Sequence, residues 1–210
     1  MPHTQSSAKG GRPKRSDSPI LSEKSSSQER DIQDEEQIGS AKGTPVSQKA
    51  GIDTIDWPNW SPTHHATLTF IQSGSRVLLI RKKRGLGAGL INGPGGKLEA
   101  DESTVQCAVR EVEEEVGLTP LELEPRGELR FQFLDGYAIH VHVFVAKGYQ
   151  GDLCETEEAR PIWFESEDIP YEEMWEDDRL WLPHVLSGGR VQGDFIFDDE
   201  KMMDHRLACT

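Results

Sequence analysis

Three glutamates, Glu111, Glu114 and Glu115, have the spacing that places side chains on one side of a helix. Like charges at this spacing repel, and each pair costs about 0.2–0.5 kcal/mol. Acids near the carboxyl end of a helix also oppose its dipole. A bound divalent cation would compensate for both costs, and ligand sets made only of oxygen are typical of Mg²⁺ or Mn²⁺. A solvated acidic face is the alternative interpretation of the same residues.

The residues around the three glutamates favour the metal site. Arg110 precedes them and carries a guanidinium fork that can orient a neighbouring carboxylate. A glycine-rich loop, residues 85–96, leads into the predicted helix. This loop lacks the third glycine of a dinucleotide fingerprint and the first glycine of a P-loop. It therefore predicts tight turns and a close approach of the backbone to a phosphate or a metal.

The stretch from Gly96 to Leu118 resembles the Nudix box at every position that the motif specifies. The matching residues are Gly96, Glu102, Arg110, Glu111, Val112, Glu114, Glu115, Gly117 and Leu118. The resemblance implies the Nudix fold, an α/β/α sandwich around a mixed sheet, and hydrolysis of a nucleoside diphosphate that is linked to another group. It also implies that Glu111, Glu114 and Glu115 bind Mg²⁺, with Mn²⁺ as a possible substitute. Further implied metal ligands are the Gly95 carbonyl and Glu158, although Glu158 also fits a surface acid.

Two flanking segments, residues 82–97 and 174–183, resemble the substrate-lining segments of the MutT-like branch that hydrolyses oxidised purine nucleoside triphosphates. The substrate-binding residues implied by this resemblance are Thr67, Lys82, Asn92, Pro94, Gly95, Gly96, Lys97, Phe131, Phe133, Trp175, Glu176, Asp177 and Asp178. Leu86 and Pro94 stand where the branch has aromatic residues. This departure predicts a wider or differently selective base pocket.

The residue types in these segments suit a purine pocket. Asn92 offers both a donor and an acceptor, and Trp175 offers a stacking face. Asp177 and Asp178 are adjacent acids in an apolar neighbourhood, where burial and mutual repulsion raise the pKa of one carboxyl so that it can donate. Such a pair would accept oxidised guanine and oxidised adenine alike. The alternatives are a turn at Asn92, core packing of Trp175 and an N-terminal helix cap by the two aspartates.

The resulting functional prediction is Mg²⁺-dependent hydrolysis of 8-oxo-dGTP and 2-hydroxy-dATP to the monophosphate and pyrophosphate. In this prediction Lys82 neutralises part of the phosphate tail, and the general base is a glutamate of the metal cluster or Glu102. One alternative is a Nudix hydrolase for another substrate, such as a dinucleoside polyphosphate or ADP-ribose. Another is a module that binds a nucleotide without cleaving it.

Two further histidines, His140 and His142, alternate with valines in a predicted strand. A period of two places both imidazoles on one face of the strand. Because the sequence shows no third ligand in register, we expect a solvent-facing pair and not a metal site.

The elements that position these residues predict an α+β fold. The helix is expected over residues 103–116, with Asp101 or Ser103 as N-cap, Gly117 as its end, and a stripe of small apolar residues facing the core. This predicted stripe comprises Val105, Ala108, Val109, Val112 and Val116. Strands are predicted over residues 66–72, 76–82, 127–134, 138–147, 161–165 and 190–197, and a second helix over residues 178–186.

Composition limits the classes of function. A formal net charge of −14 argues against binding to a nucleic-acid polymer, and no stretch approaches the roughly 20 apolar residues of a membrane span. The three cysteines form no C-x-x-C pair, which indicates a reducing cytoplasm. We expect a monomer with a disordered tail over residues 1–57 and a Nudix domain over residues 58–208. The basic run 12–15 in this tail is expected to be solvated, with a targeting or anion-binding tag as the alternative.

Overall fold

The computed structural model describes residues 51–210. Most of the predicted tail, including the basic run at residues 12–15, lies outside this range. Residues 51–57 lie inside it and are packed on the domain, so their assignment to a tail is wrong. Ile52 and Trp57 are buried in an apolar cluster with Leu134 and Ile196, and the Ile52 amide donates to Asp204 Oδ2 at 2.8 Å. The predicted boundary was placed too late in the sequence, because the residues that pack against Ile52 and Trp57 lie far away in the chain.

Eight strands and two α-helices make up the described part of the chain. In chain order they are β1 (His64–Ser73), β2 (Arg76–Lys82), β3 (Ile91–Asn92), α1 (Thr104–Val116), β4 (Leu118–Phe133), β5 (Ala138–Gly151), β6 (Ala159–Glu165), α2 (Asp178–Leu186), β7 (Val191–Asp198) and β8 (Lys201–Cys209). Short 3-10 turns occur at Ile52–Thr54, Trp57–Asn59 and Tyr171–Glu173. None of the helices in residues 51–210 has the length and apolar character needed to cross a bilayer.

The strands form one mixed sheet in the order β3-β2-β1-β5-β4-β7-β8, and β6 pairs with β2. The pairs β1–β5 and β4–β7 are parallel, and the other pairs are antiparallel. Helix α1 buries Val112 and Val116 in a cluster with Ile71 and Ile80. Helix α2 belongs to a separate and larger cluster, which contains Trp181. The predicted α+β fold, with a mixed sheet between helices, is confirmed.

The ends of α1 follow from its sequence. Ser103 is the N-cap, because its hydroxyl accepts from the Gln106 amide while the Gln106 side chain accepts from the Ser103 amide. This reciprocal pair excludes Asp101, the other predicted cap. Gly117 ends the helix in the left-handed conformation, as predicted.

The buried face of α1 differs from the predicted apolar stripe. Val105 is half exposed, whereas Cys107, two residues later, is fully buried. Glu111 and Glu115 are buried together with Val112 and Val116. The carboxylates therefore lie within the buried face, not beside it.

Strands β4, β5 and β6 are longer than predicted, and β3 and β8 were not predicted. Strand β4 begins at Leu118 and contains an irregularity between Pro125 and Gly127, which hid its first half. Strand β8 was not predicted, because none of its side chains is fully buried and it has no strong apolar alternation. It pairs with β7 along nearly its whole length.

The parallel pairing of β1 with β5 corrects the expectation for the two histidines. The register sets His65 opposite His140 and Thr67 opposite His142. Both predicted histidines are half-buried, and His65 is the third imidazole that sequence spacing did not reveal. The prediction of a solvent-facing pair without a third partner is therefore wrong.

Candidate active site

The loop that precedes α1 runs along the edge of β1. The Thr69 amide donates to the Pro94 carbonyl at 2.8 Å, and the Thr67 amide donates to the Gly96 carbonyl at 2.9 Å. The Gly95 carbonyl, between them, accepts no hydrogen bond from any residue within 51–210. Its role as a metal ligand, which the family resemblance implies, stays a prediction.

Glycine is required at two adjacent positions of this loop. A Cβ on Gly95 would lie 2.0 Å from the Thr67 carbonyl oxygen, and a Cβ on Gly96 would lie 2.5 Å from the Glu111 carboxyl. A larger residue at either position would separate the loop from β1 or from α1. The two glycines thus hold the loop backbone against the helical carboxylates.

Glu115 is the most enclosed of the three glutamates. Its Oε2 accepts from the Gly95 amide at 2.8 Å, and its Oε1 lies 3.3 Å from Lys82 Nζ. Burial raises its pKa to about 7, although Lys82 and the Gly95 amide act in the opposite direction. A cation bound next to this buried carboxylate would lower its pKa and so favour its ionised form.

Glu111 and Glu114 complete the group on α1. Glu111 is buried, and burial raises the pKa of its carboxyl. Glu114 is more exposed than the other two. Arg110 Nη1 donates to Glu111 Oε1 at 2.8 Å and to Glu114 Oε2 at 3.0 Å, so one guanidinium nitrogen bridges two carboxylates. This oxygen set fits a hard divalent ion.

Arg110 also binds Glu102 with both sides of its fork. Nε donates to Glu102 Oε1 and Nη2 donates to Glu102 Oε2, each at 2.8 Å. Hydrogen bonds from Arg110 hold the pKa of Glu102 at about 2. The paired hydrogen bonds make Glu102 an anchor for the arginine that orients Glu111 and Glu114.

Cys107 is a site residue that sequence reasoning missed. It is buried one turn before Glu111, and its thiol contacts the Thr67 hydroxyl at 3.4 Å and the Gly96 carbonyl at 3.6 Å. Burial raises its pKa to about 11, so it stays a thiol that packs the loop against the helix. Its position on the buried face of α1 was the available signal.

Glu158 and Lys97, which were both predicted for this site, have other contacts. Glu158 forms an exposed ion pair with Arg84, and no contact found within residues 51–210 joins it to the glutamates of α1. Its role as a metal ligand stays a prediction. Lys97 is exposed, and its ammonium lies 5.7 Å from the centre of the Tyr137 ring.

The predicted base-binding residues lie on the α2 side of the sheet. Trp175 packs edge-on against Phe133, with ring centres 6.2 Å apart, and against Phe197 at 5.5 Å. A Cβ on Gly87 would lie 2.9 Å from Trp175 Nε1, so the glycine-rich loop reaches this aromatic group. Phe131 stacks on Phe195 at 5.2 Å. The structure thus brings Trp175 and Phe133 together. Both residues belong to the apolar cluster on the α2 side, so the core-packing interpretation of Trp175 is also supported.

Asp177 and Asp178 are almost completely buried. Asp177 Oδ2 accepts from Trp181 Nε1 at 2.8 Å, whereas Asp178 Oδ2 has no hydrogen-bond partner among residues 51–210. Burial raises the pKa of both carboxyls, and repulsion by Asp177 raises that of Asp178 further. Neither aspartate side chain caps α2, so the capping alternative fails. A protonated pair here can donate to a ligand.

The remaining predicted substrate residues are divided between the two sides. Asn92 Oδ1 accepts from the Gly93 amide at 2.8 Å, which supports the interpretation of Asn92 as a turn residue. Thr67 is buried against α1, apart from the aromatic group, and Glu176 accepts from the Met202 amide. The loop itself connects the sides, because a Cβ on Gly93 would meet Phe70 on the α2 side, whereas Gly96 contacts Glu111.

Comparison with known proteins agrees with this geometry. The family model described as NUDIX domain matches residues 62–185 of this chain. The oxidized purine nucleoside triphosphate hydrolase of Danio rerio is 42% identical over 143 residues, which cover 67% of this chain and 92% of that protein. The protein of the same name from Mus musculus is 40% identical, over 64% of this chain and 86% of its own length.

A solved structure gives the same result for the fold. The crystal structure of a mutator MutT protein from Bacillus halodurans aligns with a TM-score of 0.62 at 27% identity, over 69% of this chain and 97% of that one. Nudix hydrolases generally use divalent metals, in accord with the carboxylate group on α1. The chain belongs to the Nudix hydrolase family.

Proposed function

We propose that this protein hydrolyses oxidised purine nucleoside triphosphates, such as 8-oxo-dGTP and 2-hydroxy-dATP, to the monophosphate and pyrophosphate. Two relatives with 40% and 42% identity bear the name of that activity. The observation that carries the proposal is the buried Asp177–Asp178 pair, with one carboxylate oxygen that no residue within 51–210 satisfies. A buried polar atom without a partner costs about 1–3 kcal/mol, and the edge of a base would supply that partner.

The acid pair gives a reason for accepting two different oxidised bases. Burial raises the pKa of both carboxyls, and the repulsion between two carboxylates favours a pair that shares one proton. The pair then offers a donor and acceptors within one pocket, and the proton can sit on either residue. Trp175 would cover one face of the base.

We propose Mg²⁺ as the cofactor, held by Glu111, Glu114, Glu115 and the Gly95 carbonyl. The donor set fits, since all four groups offer oxygen and two of the carboxylates are buried with raised pKa values. When bound, a divalent ion neutralises phosphate charge and activates water. Arg110 fixes the orientation of two of these carboxylates, and Lys82 adds positive charge beside Glu115.

The general base belongs to the α1 cluster and not to Glu102. A general base is most efficient when its pKa lies near the working pH, whereas hydrogen bonds from Arg110 hold the pKa of Glu102 at about 2. Glu102 also has both carboxylate oxygens committed to Arg110. Its contribution is to position Arg110.

The test is pyrophosphate release from 8-oxo-dGTP, 2-hydroxy-dATP, dGTP, ADP-ribose and a dinucleoside polyphosphate, each with Mg²⁺ and with a chelator. We expect the two oxidised nucleotides to have the highest kcat/KM and the chelator to abolish every rate. Faster cleavage of ADP-ribose or of the dinucleoside polyphosphate would move the protein to another Nudix substrate. Binding without release of product would indicate a sensing module.

We also propose that the protein is a cytoplasmic monomer. The three cysteines, Cys107, Cys154 and Cys209, are all unpaired, as a reducing compartment would keep them. Fractionation of cells and the mass of the purified chain in solution test the two parts separately. A membrane-enclosed oxidising location, or a stable dimer, would contradict them.

A further inference from the structure

Three imidazoles from two strands converge on one face of the sheet, outside the carboxylate group on α1. His65 comes from β1, and His140 and His142 come from β5. One ring nitrogen from each lies within 4.8 Å of the others. The ring centres are 4.6 Å apart for His140 and His142, 5.4 Å for His65 and His140, and 6.1 Å for His65 and His142.

We propose that His65, His140 and His142 form a second metal site, which takes a divalent transition-metal ion such as Zn²⁺. Nitrogens bound to one tetrahedral zinc ion lie about 3.4 Å apart, as zinc–nitrogen bonds of about 2.1 Å require. Side-chain adjustments of roughly 1 Å bring the three imidazoles to that spacing. The proposal does not depend on which nucleotide the protein hydrolyses.

The strand register holds these three ligands in place. His65 and His140 are directly paired across the parallel β1–β5 contact, and His142 follows two residues along the same face of β5. Both strands are central in the sheet, with neighbours on each side. The backbone positions are therefore rigid, and only side-chain rotations are needed to close the site around an ion.

A carboxylate next to the histidines supports the assignment. Glu128 Oε2 lies 3.0 Å from His140 Nε2, and Glu128 Oε1 lies 3.8 Å from His142 Nδ1. Carboxylates commonly orient metal-binding imidazoles in this way and offset the charge of the ion. Burial also lowers the pKa of His140 and His142, and a neutral imidazole is the form that binds a metal.

The two proposed sites differ in the ions that they should prefer. The site on α1 offers only oxygen, which suits Mg²⁺ or Mn²⁺, whereas the histidine site offers three nitrogens, which suit zinc, nickel, copper or cobalt. With three protein ligands, the histidine site would leave a fourth position for water. An ion there would join β1 to β5 through side chains as well as through the backbone.

The test is calorimetric titration of the metal-free, full-length chain with Zn²⁺ in excess Mg²⁺, together with a thermal unfolding scan. We expect one zinc ion per chain and a higher unfolding midpoint. His65→Asn and His140→Asn should each weaken zinc binding at least tenfold. His64→Asn is the matched control, because His64 is adjacent in β1 but lies against Tyr137, with ring centres 5.4 Å apart. It should bind zinc like the unaltered chain.

Zinc binding that persists in His65→Asn and His140→Asn but is lost in Glu114→Gln would assign zinc to the α1 site and overturn the proposal. A second measurement needs no variant. Side-chain nitrogen NMR of the unaltered chain should show zinc-dependent shifts at His65, His140 and His142, and none at His184 or His205. Shifts confined to other histidines would overturn the proposal as well.

Discussion

Arg110 and Glu102 are joined by two parallel hydrogen bonds of 2.8 Å, from Nε to Oε1 and from Nη2 to Oε2. The remaining guanidinium nitrogen, Nη1, bridges Glu111 and Glu114. Glu102, eight positions before Arg110, thus orients the guanidinium group that in turn orients two of the candidate metal ligands. This relation separates the role of Glu102 from that of the other acids.

The Glu102→Gln variant should lower kcat by a similar factor at every pH. Because the Glu102 pKa is about 2, this carboxylate is ionised throughout the working range, and the variant loses orientation of Arg110 but no titrating group. A pH–rate profile from about pH 5 to about pH 9 checks this. Arg110→Lys, which keeps the charge and loses the fork, should behave alike. If the acid limb disappears in Glu102→Gln, Glu102 is the base after all.

The Glu114→Gln variant should lose turnover while keeping its stability. Glu114 is largely exposed, so the free energy of unfolding should change by less than about 0.5 kcal/mol. Loss of a proposed metal ligand should lower kcat roughly 100-fold or more. Steady-state rates and urea unfolding measure the two quantities.

Glu113→Gln is the matched control for that variant. Glu113 lies one residue earlier on α1, is exposed and contacts Thr119 instead of the site. It should retain a near-normal rate. Equal losses in both variants, or a near-normal rate in Glu114→Gln, would remove Glu114 from the metal site.

The Gly95→Ala variant should lose both stability and activity. Its Cβ would lie 2.0 Å from the Thr67 carbonyl oxygen, so the loop must move away from β1. A cost of about 1–3 kcal/mol is expected from such overpacking. Gly148→Ala, whose Cβ would meet its nearest neighbour at 3.7 Å, should be almost unchanged in urea unfolding. Normal stability of Gly95→Ala would mean that the loop is not held as described.

The Asp178→Asn variant should change how stability depends on pH. Burial raises the pKa of Asp178 in the folded chain, so the folded chain holds more protons than the unfolded chain above the ordinary value of 3.8. Stability from this group is therefore present at low pH and is lost as the pH rises. As the pH rises above about 4, the variant should gain stability relative to the unaltered chain, by about 1–3 kcal/mol.

Urea unfolding at several pH values measures that difference for Asp178→Asn. Asp168→Asn, at an exposed position, is the control, and its free energy of unfolding should change with pH as that of the unaltered chain does. If the pH dependence of stability in Asp178→Asn also matched that of the unaltered chain, the Asp178 carboxyl would have no raised pKa. Its proposed role as a donor to the base would then fail.

The Trp175→Ala variant should raise KM for 8-oxo-dGTP roughly 10- to 100-fold, since base stacking on an aromatic ring contributes about 1–3 kcal/mol. Trp163→Ala is the control, because Trp163 packs against Tyr149 and Arg76, away from the Trp175 group. Initial rates over a range of substrate concentrations give KM and kcat. An unchanged KM would limit Trp175 to core packing.

Local features were predictable from the sequence where the signal and the structure lie close together. The cap at Ser103, the end of α1 at Gly117 and the β1–β2 hairpin depend on neighbouring residues, and each was predicted within a few positions. The three glutamates of α1 were predicted because helical spacing alone places them together. Their burial was not, because it depends on where the loop and the sheet cover the helix.

Features that depend on distant pairing were missed. His65 meets His140, 75 positions later in the chain, only through the parallel register of β1 and β5, and periodicity carries no information on that register. Strand β8 is stabilised by pairing with β7 more than by burial, so its sequence lacks a clear apolar pattern. Val105 was assigned to the core because valine is apolar, but half of this residue is exposed.

The buried face of α1 carries Glu115 in the same row as residues of the apolar cluster, and this has an evolutionary cost. An uncharged apolar side chain at position 115 would remove a desolvated carboxylate and extend the packing of Val112 and Val116. Laboratory selection for heat resistance alone should therefore enrich leucine or methionine at that position, and the surviving clones would be robust but inert.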